Sequence, residues 1–158
     1  MKAMTSPSKW PTSCRLAIVE RPRGEGWLSD EIAALSRYGY DVLVSINTPG
    51  EAHELGLAKE SEECSLARMK FINFPMPNDQ FFCDVDAIAE LVRRGRSVAV
   101  HCRADRWWSS FLAFSALVRL GWLEDKAFET VKLARRCALR RPYSSEPQLL
   151  VYEVDVSW

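Results

Sequence analysis

Val98-Ala99-Val100-His101-Cys102-Arg103-Ala104-Asp105-Arg106-Trp107-Trp108-Ser109-Ser110 is the stretch whose reading decides the fold. Its apolar, β-branched start predicts a buried strand that ends on His101-Cys102. A short loop follows, and the apolar run Phe111-Leu-Ala-Phe-Ser-Ala-Leu-Val-Arg-Leu120 then predicts a helix. A cysteine between the end of a buried strand and the start of a helix is well placed for chemistry. Backbone N–H groups and the helix dipole both favour a thiolate there, and both favour a bound anion.

Working outward, residues 15–19, 41–46, 70–74 and 96–100 read as short apolar strands, and helical stretches lie between them. Ser29 is the expected N-cap of a first helix that ends at Gly39. Pro49 opens a short helix ended by Gly56, and the polar segment 58–68 reads as a surface helix. Asp84 is the expected cap of a helix bearing Val85, Ile88, Leu91 and Val92, ended by Gly95. A further helix covers 124–136, residues 140–147 form a turn, and 148–154 is a terminal helix or extended segment. Strands alternating with helices argue for one α/β domain with a central, mostly parallel sheet flanked by helices. In such sheets ligands bind beyond the carboxyl ends of the strands, where the loops 21–26 and 75–79 and the loop after Cys102 would converge.

The totals exclude several classes. With 158 residues the chain reads as one domain over 14–158 behind a flexible tail, 1–13. Lys+Arg and Asp+Glu balance at 21 each, so no global field draws it to nucleic acid or to a membrane surface. The five cysteines show neither zinc-knuckle spacing nor an even disulfide framework, which suits a reducing cytoplasm. The start of the chain lacks the apolar core of a signal peptide. No metal and no cofactor are expected. Cys14, Cys64, Cys83 and Cys137 carry no readable role, and His53 reads as a helix-surface residue.

The quoted stretch, taken with its surroundings, resembles the cysteine-dependent tyrosine and dual-specificity protein phosphatases in a compact bacterial form. Arg15-Leu-Ala-Ile-Val19 with the Pro22-Arg-Gly24 turn, and Asp41-Val-Leu-Val-Ser45 followed by Glu54-Leu-Gly-Leu57, are similar to the first half of that family. Phe74-Pro-Met-Pro77 resembles the start of its general-acid loop, and Gly95-Arg-Ser-Val-Ala-Val-His-Cys102 the strand into its phosphate loop. Arg140-Arg-Pro-Tyr143 to Glu146-Pro-Gln148 resembles the tail of the fold. The resemblance implies a phosphate loop over His101, Cys102, Arg103, Ala104, Asp105, Arg106, Trp107 and Trp108, with Cys102 as nucleophile. Ser109 would assist departure of the sulfur, and His101 would order the loop. The acid position falls on Asn78, with Asp79 next to it; Asn78-Asp79 is equally good turn chemistry. The substrates implied are a phosphorylated protein or a small phosphate ester.

The family signature breaks at its centre. The position of the clamping arginine is Trp108, and the two usual glycines are Asp105 and Trp107. The arginine matters because its planar fork holds two phosphate oxygens, and the glycines because they let the backbone reach the anion. Charge-assisted hydrogen bonds contribute about 1.5–3 kcal/mol each, so losing the two-pronged clamp costs about 3–6 kcal/mol. At about 1.4 kcal/mol per decade, that is roughly two to four decades in rate. Asp105 adds a carboxylate where a phosphate dianion would sit. Three readings stand: an impaired phosphatase, a slow phosphatase using Arg106 or Arg103, and a non-catalytic module that binds a phosphoprotein or other partner. Cys102 as a small core hydrophobe is the bland alternative.

Overall fold

Leu16–Val19 (β1), Val42–Ser45 (β2) and Val98–His101 (β4) are buried along their whole length, whereas Lys70–Asn73 (β3) is half-exposed. The computed structural model describes residues 16–76, 79–101, 107–136, 139–140 and 150–154. The sheet order is β3-β2-β4-β1, continued by Leu150–Val154 (β6) and Leu139–Arg140 (β5). The first four strands are parallel; β6 runs antiparallel to β1, and β5 antiparallel to β6. The expected mostly parallel α/β sheet is thus the one found.

Each buried strand divides its side chains between two cores, as the period-2 alternation of a strand requires. Leu16, Ile18, Val44, Val98 and Val100 meet Phe81–Arg93 (α4), Trp107–Arg119 (α5) and Glu124–Arg136 (α6) through Val85, Ile88, Leu112, Leu117 and Val131. Ala17, Val19, Leu43 and Ala99 meet Leu28–Arg37 (α1) and Glu60–Leu66 (α3) through Leu28, Ile32, Leu35 and Cys64.

Several boundaries differ from expectation. A 3-10 turn, Glu25–Trp27, runs straight into α1, so its N-cap is Trp27 and Ser29 lies within the first turn. The helix Pro49–Glu54 (α2) has a cap the sequence reading overlooked. Thr48 Oγ1 accepts from the Glu51 N–H, and the Thr48 N–H donates to Glu51 Oε1. Helix α4 begins at Phe81, whose ring stacks on Phe111 at 5.1 Å; Asp84 is therefore a buried residue inside the helix, not its cap. Helix α5 begins at Trp107, so Trp107 to Ser110 are helical rather than loop. The segment 148–154 resolves as strand β6, whose Tyr152 and Val154 are buried against β1. Arg140, expected in a turn, pairs with Leu150 in β5; residues 141–149 lie outside the described residues. Helix α3 is not merely a surface helix, because it buries Glu60 and Cys64.

The loop after β1 depends on one glycine. A Cβ at Gly24 would stand 2.2 Å from the Leu55 carbonyl oxygen, so only glycine admits that backbone approach. The buried Glu31 carboxylate accepts from the Arg23 N–H and from Arg23 Nε, each at 2.6 Å, and ties the loop to α1.

Ile88, fully buried between α4 and the sheet, sets the expected size of a core substitution. Ile88→Ala is expected to lower unfolding stability by about 2–5 kcal/mol in denaturant titration. Leu133→Ala, at an exposed site on α6, is expected to stay within about 0.5 kcal/mol.

Candidate functional site

Parallel pairing brings the carboxyl ends of β3, β2 and β4 to one edge, with Ser45 registered opposite both Asn73 and His101. The chain leaving β2 is held there from both sides. The Ile46 N–H donates to the His101 carbonyl at 3.1 Å, and the Met76 N–H donates to the Ile46 carbonyl at 3.1 Å. The Phe74 N–H donates to the Ser45 carbonyl, and Asn73 Nδ2 donates to the carbonyls of Ser45 and Asn47, at 2.9 Å each. Residues 46–47 are therefore wedged between the segment 74–76 and the residue that precedes Cys102.

His101 has no exposed surface, and its Nε2 shares a 2.5 Å hydrogen bond with Glu60 Oε2. Glu60, itself buried, comes from the first turn of α3. A carboxyl group and an imidazole buried together satisfy each other where water cannot. After residues 102–106, α5 starts at Trp107. Ser109 lies fully buried in its first turn. The Trp108 indole packs against the core on the α4–α5–α6 side and meets Phe111 edge-on at 6.3 Å. Phe111 stacks in turn on Phe81 and Phe114, so an aromatic cluster joins the start of α4 to the start of α5.

Of the expected site residues, His101 and Ser109 thus flank the loop as buried anchors, and Trp108 faces hydrophobic neighbours. Asp79 is exposed in the turn before α4. Asn78, Cys102, Arg103, Ala104, Asp105 and Arg106 lie outside the described residues, and of Trp107 the backbone alone is described. Sequence reasoning missed Glu60, Asn47 and Asn73. Glu60 sits in the run Lys59-Glu-Ser-Glu-Glu63, which reads as a solvated face; the spacing of Glu60 to the apolar Cys64, one helical turn, was the available signal. Among the described residues no three of His, Cys, Asp and Glu converge as metal ligands would. No helix among them is long and apolar enough to cross a membrane.

No protein-family model matches the chain, and no curated protein does. Solved structures do. A kinase-associated phosphatase carrying serine in place of its catalytic cysteine superposes with a TM-score of 0.63 at 12% identity, over 72% of this chain and 71% of that one. Tk-PTP in its active form gives 0.58 at 23% identity, over 84% and 83%. The fold is that of the tyrosine and dual-specificity phosphatases.

Cys64 belongs to α3. It is buried in the other core, and burial pushes its thiol up from 9.0 to about 12, with the nearby charges of Glu60 and Glu63 adding to the rise. Such a thiol stays protonated and unreactive in the folded protein. A raised folded value means the unfolded chain ionises first as pH climbs. The stability contributed by the neutral buried thiol is complete below pH 9 and is lost as pH rises toward 12. The destabilisation caused by Cys64→Ala, read from denaturant midpoints, should therefore shrink between pH 9 and pH 12.

Proposed function

We propose that the protein is a cysteine-dependent phosphate-monoester hydrolase of reduced turnover, acting on a phosphorylated protein or a small phosphate ester through Cys102. The observation that carries the reading is the position of Trp108. It stands where the resemblance calls for a clamping arginine, and its indole is committed to the aromatic cluster and the core. The anchors on either side of the loop are intact: His101 held by Glu60 before it, and Ser109 with the start of α5 after it.

In the first step the Cys102 thiolate attacks phosphorus, the bond from phosphorus to the ester oxygen breaks, and that oxygen takes a proton from Asp79. In the second step water attacks the phosphorus of the thiophosphate and gives up a proton to the Asp79 carboxylate, which restores the acid. The phosphorus–sulfur bond breaks, and the Ser109 hydroxyl donates to the departing sulfur. Backbone N–H groups at the start of α5 favour both the thiolate and the phosphate charge. Without the guanidinium fork the transition state keeps less of its charge stabilisation, which lowers the rate without altering the order of the steps.

The test is hydrolysis of p-nitrophenyl phosphate by the unmodified chain and by Cys102→Ser. Slow turnover that disappears in Cys102→Ser is expected. Turnover that survives Cys102→Ser excludes the mechanism. No turnover at all, with saturable vanadate binding, would favour the binding-module reading, which the half-buried Trp108 also fits. The combined change Asp105→Gly, Arg106→Ile, Trp107→Gly and Trp108→Arg is expected to raise kcat by about 100- to 10,000-fold, the range set by the missing clamp. The same change should lower the melting temperature, because Trp108→Arg strips an aromatic ring from the core.

A further inference from the structure

We propose that Asn73 is a positioning residue for the general acid, its side-chain amide joining the chain that leads to Asp79 onto the end of β2. This rests on the reading of Asp79 as the acid of the first step.

Strand pairing between β2 and β3 ends at Ser45 and Asn73, yet hydrogen bonding between the two chains continues as far as Met76. Three successive carbonyls at the exit of β2 are taken up. The Ser45 carbonyl accepts from the Phe74 N–H at 2.8 Å, and the Ile46 carbonyl from the Met76 N–H at 3.1 Å. Pro75 has no N–H to offer, and the Asn47 carbonyl is reached by a side chain instead, Asn73 Nδ2 at 2.9 Å. The same nitrogen donates to the Ser45 carbonyl, also at 2.9 Å. A primary amide is what this needs, because it carries two N–H groups on one nitrogen. An ionised carboxylate of the same size has none, and both carbonyl oxygens repel it. Asn73 is exposed and belongs to neither core, so its two bonds serve the connection rather than the packing.

The exit of β2 is itself fixed. The Ile46 N–H donates to the His101 carbonyl, and Thr48 caps α2. On the other side of Asp79, α4 begins at Phe81, whose ring stacks on Phe111 of α5. Asp79 is thus carried between two anchors. Chain reach alone keeps its Cα within about 11 Å of that of Met76 and about 7 Å of that of Phe81. A general acid contributes only where it comes within hydrogen-bond reach of the leaving oxygen. Asp79 is exposed, with no burial of its own to hold it, so that reach depends on the anchors. Asn73 is the side chain that secures the first of them.

The test reads the leaving group, in the full chain. kcat/KM is measured for phenyl phosphate, whose oxygen needs a proton as it leaves, and for dinitrophenyl phosphate, whose stable anion does not. This parameter covers the steps up to departure of the leaving group, so breakdown of the thiophosphate, common to both substrates, does not enter. Asp79→Asn is expected to lower the phenyl:dinitrophenyl ratio by about 100-fold, the contribution of a positioned acid. Asn73→Ala and Asn73→Asp are each expected to lower it by about tenfold, a part of the same contribution. Asn73→Asp keeps the size of the side chain and removes only its donors. Adding Asn73→Ala to Asp79→Asn should lower the ratio no further, because both act on one proton transfer. A residue serving only the fold would lower kcat/KM for both substrates alike. If Asp79→Asn lowers the ratio, an unchanged ratio in both Asn73 variants, or a further fall in the double variant, overturns the proposal and leaves the acid in place. An unchanged ratio in Asp79→Asn, or no Cys102-dependent turnover, overturns the reading of the acid and the proposal with it.

Discussion

An imidazole with no access to water, held on one nitrogen by a carboxyl group equally buried, is the constraint around which this edge of the molecule is built. His101 must sit at the end of β4, the strand paired on both sides, by β2 and β1. Glu60 must reach it from α3, the helix that connects α2 to β3. Breaking a buried pair of this kind by removing one partner typically costs about 3–5 kcal/mol, whereas an apolar replacement of both is often neutral. The pair is therefore weak as an explanation of stability. It makes more sense as a device that fixes one ring in one orientation beside the cysteine.

The two cores serve the same end by different means. On the α1–α3 side, small and medium side chains such as Ala17, Ala99 and Cys64 let α3 approach closely enough for Glu60 to reach the sheet edge. On the other side, α5 packs between α4 and α6 and starts directly after the loop, so its position fixes the loop's exit as His101 fixes its entry. Both flanks are thereby held by packing among the described residues. A loop held at both ends can lose its arginine and its glycines without the fold losing its shape.

That separation also explains what could be read from sequence. The strands were legible because each is a continuous apolar run covered on both faces, and the cysteine's place between strand and helix followed from them. The caps at Ser29 and Asp84 were misread because tertiary contacts extended the helices backward: the 3-10 turn before Leu28, and the Phe81–Phe111 stack. β6 stayed open between helix and strand until its partner, the free edge of β1, was in view. Glu60, Asn47 and Asn73 were hidden for a stronger reason. Their roles exist only once β3, β2 and β4 are side by side, and nothing local in Lys59-Glu-Ser-Glu-Glu63 or Ser45-Ile-Asn-Thr48 distinguishes them from a solvated helix and a turn.

Trp108 shows how fold and activity draw on one residue in opposite senses. A tryptophan buries about 150–250 Å² when fully covered, worth roughly 4–6 kcal/mol at about 25 cal/mol/Å². Half-buried against Phe111 and the core, it gains a part of that in every folded molecule, with or without a ligand. An arginine at the same place would leave that packing and contribute its two charge-assisted hydrogen bonds only while an anion is bound. The indole is therefore favoured wherever the requirement is a stable fold, and the guanidinium wherever it is rapid phosphoryl transfer. This chain carries the indole, and with it the packing that holds the start of α5 against the core.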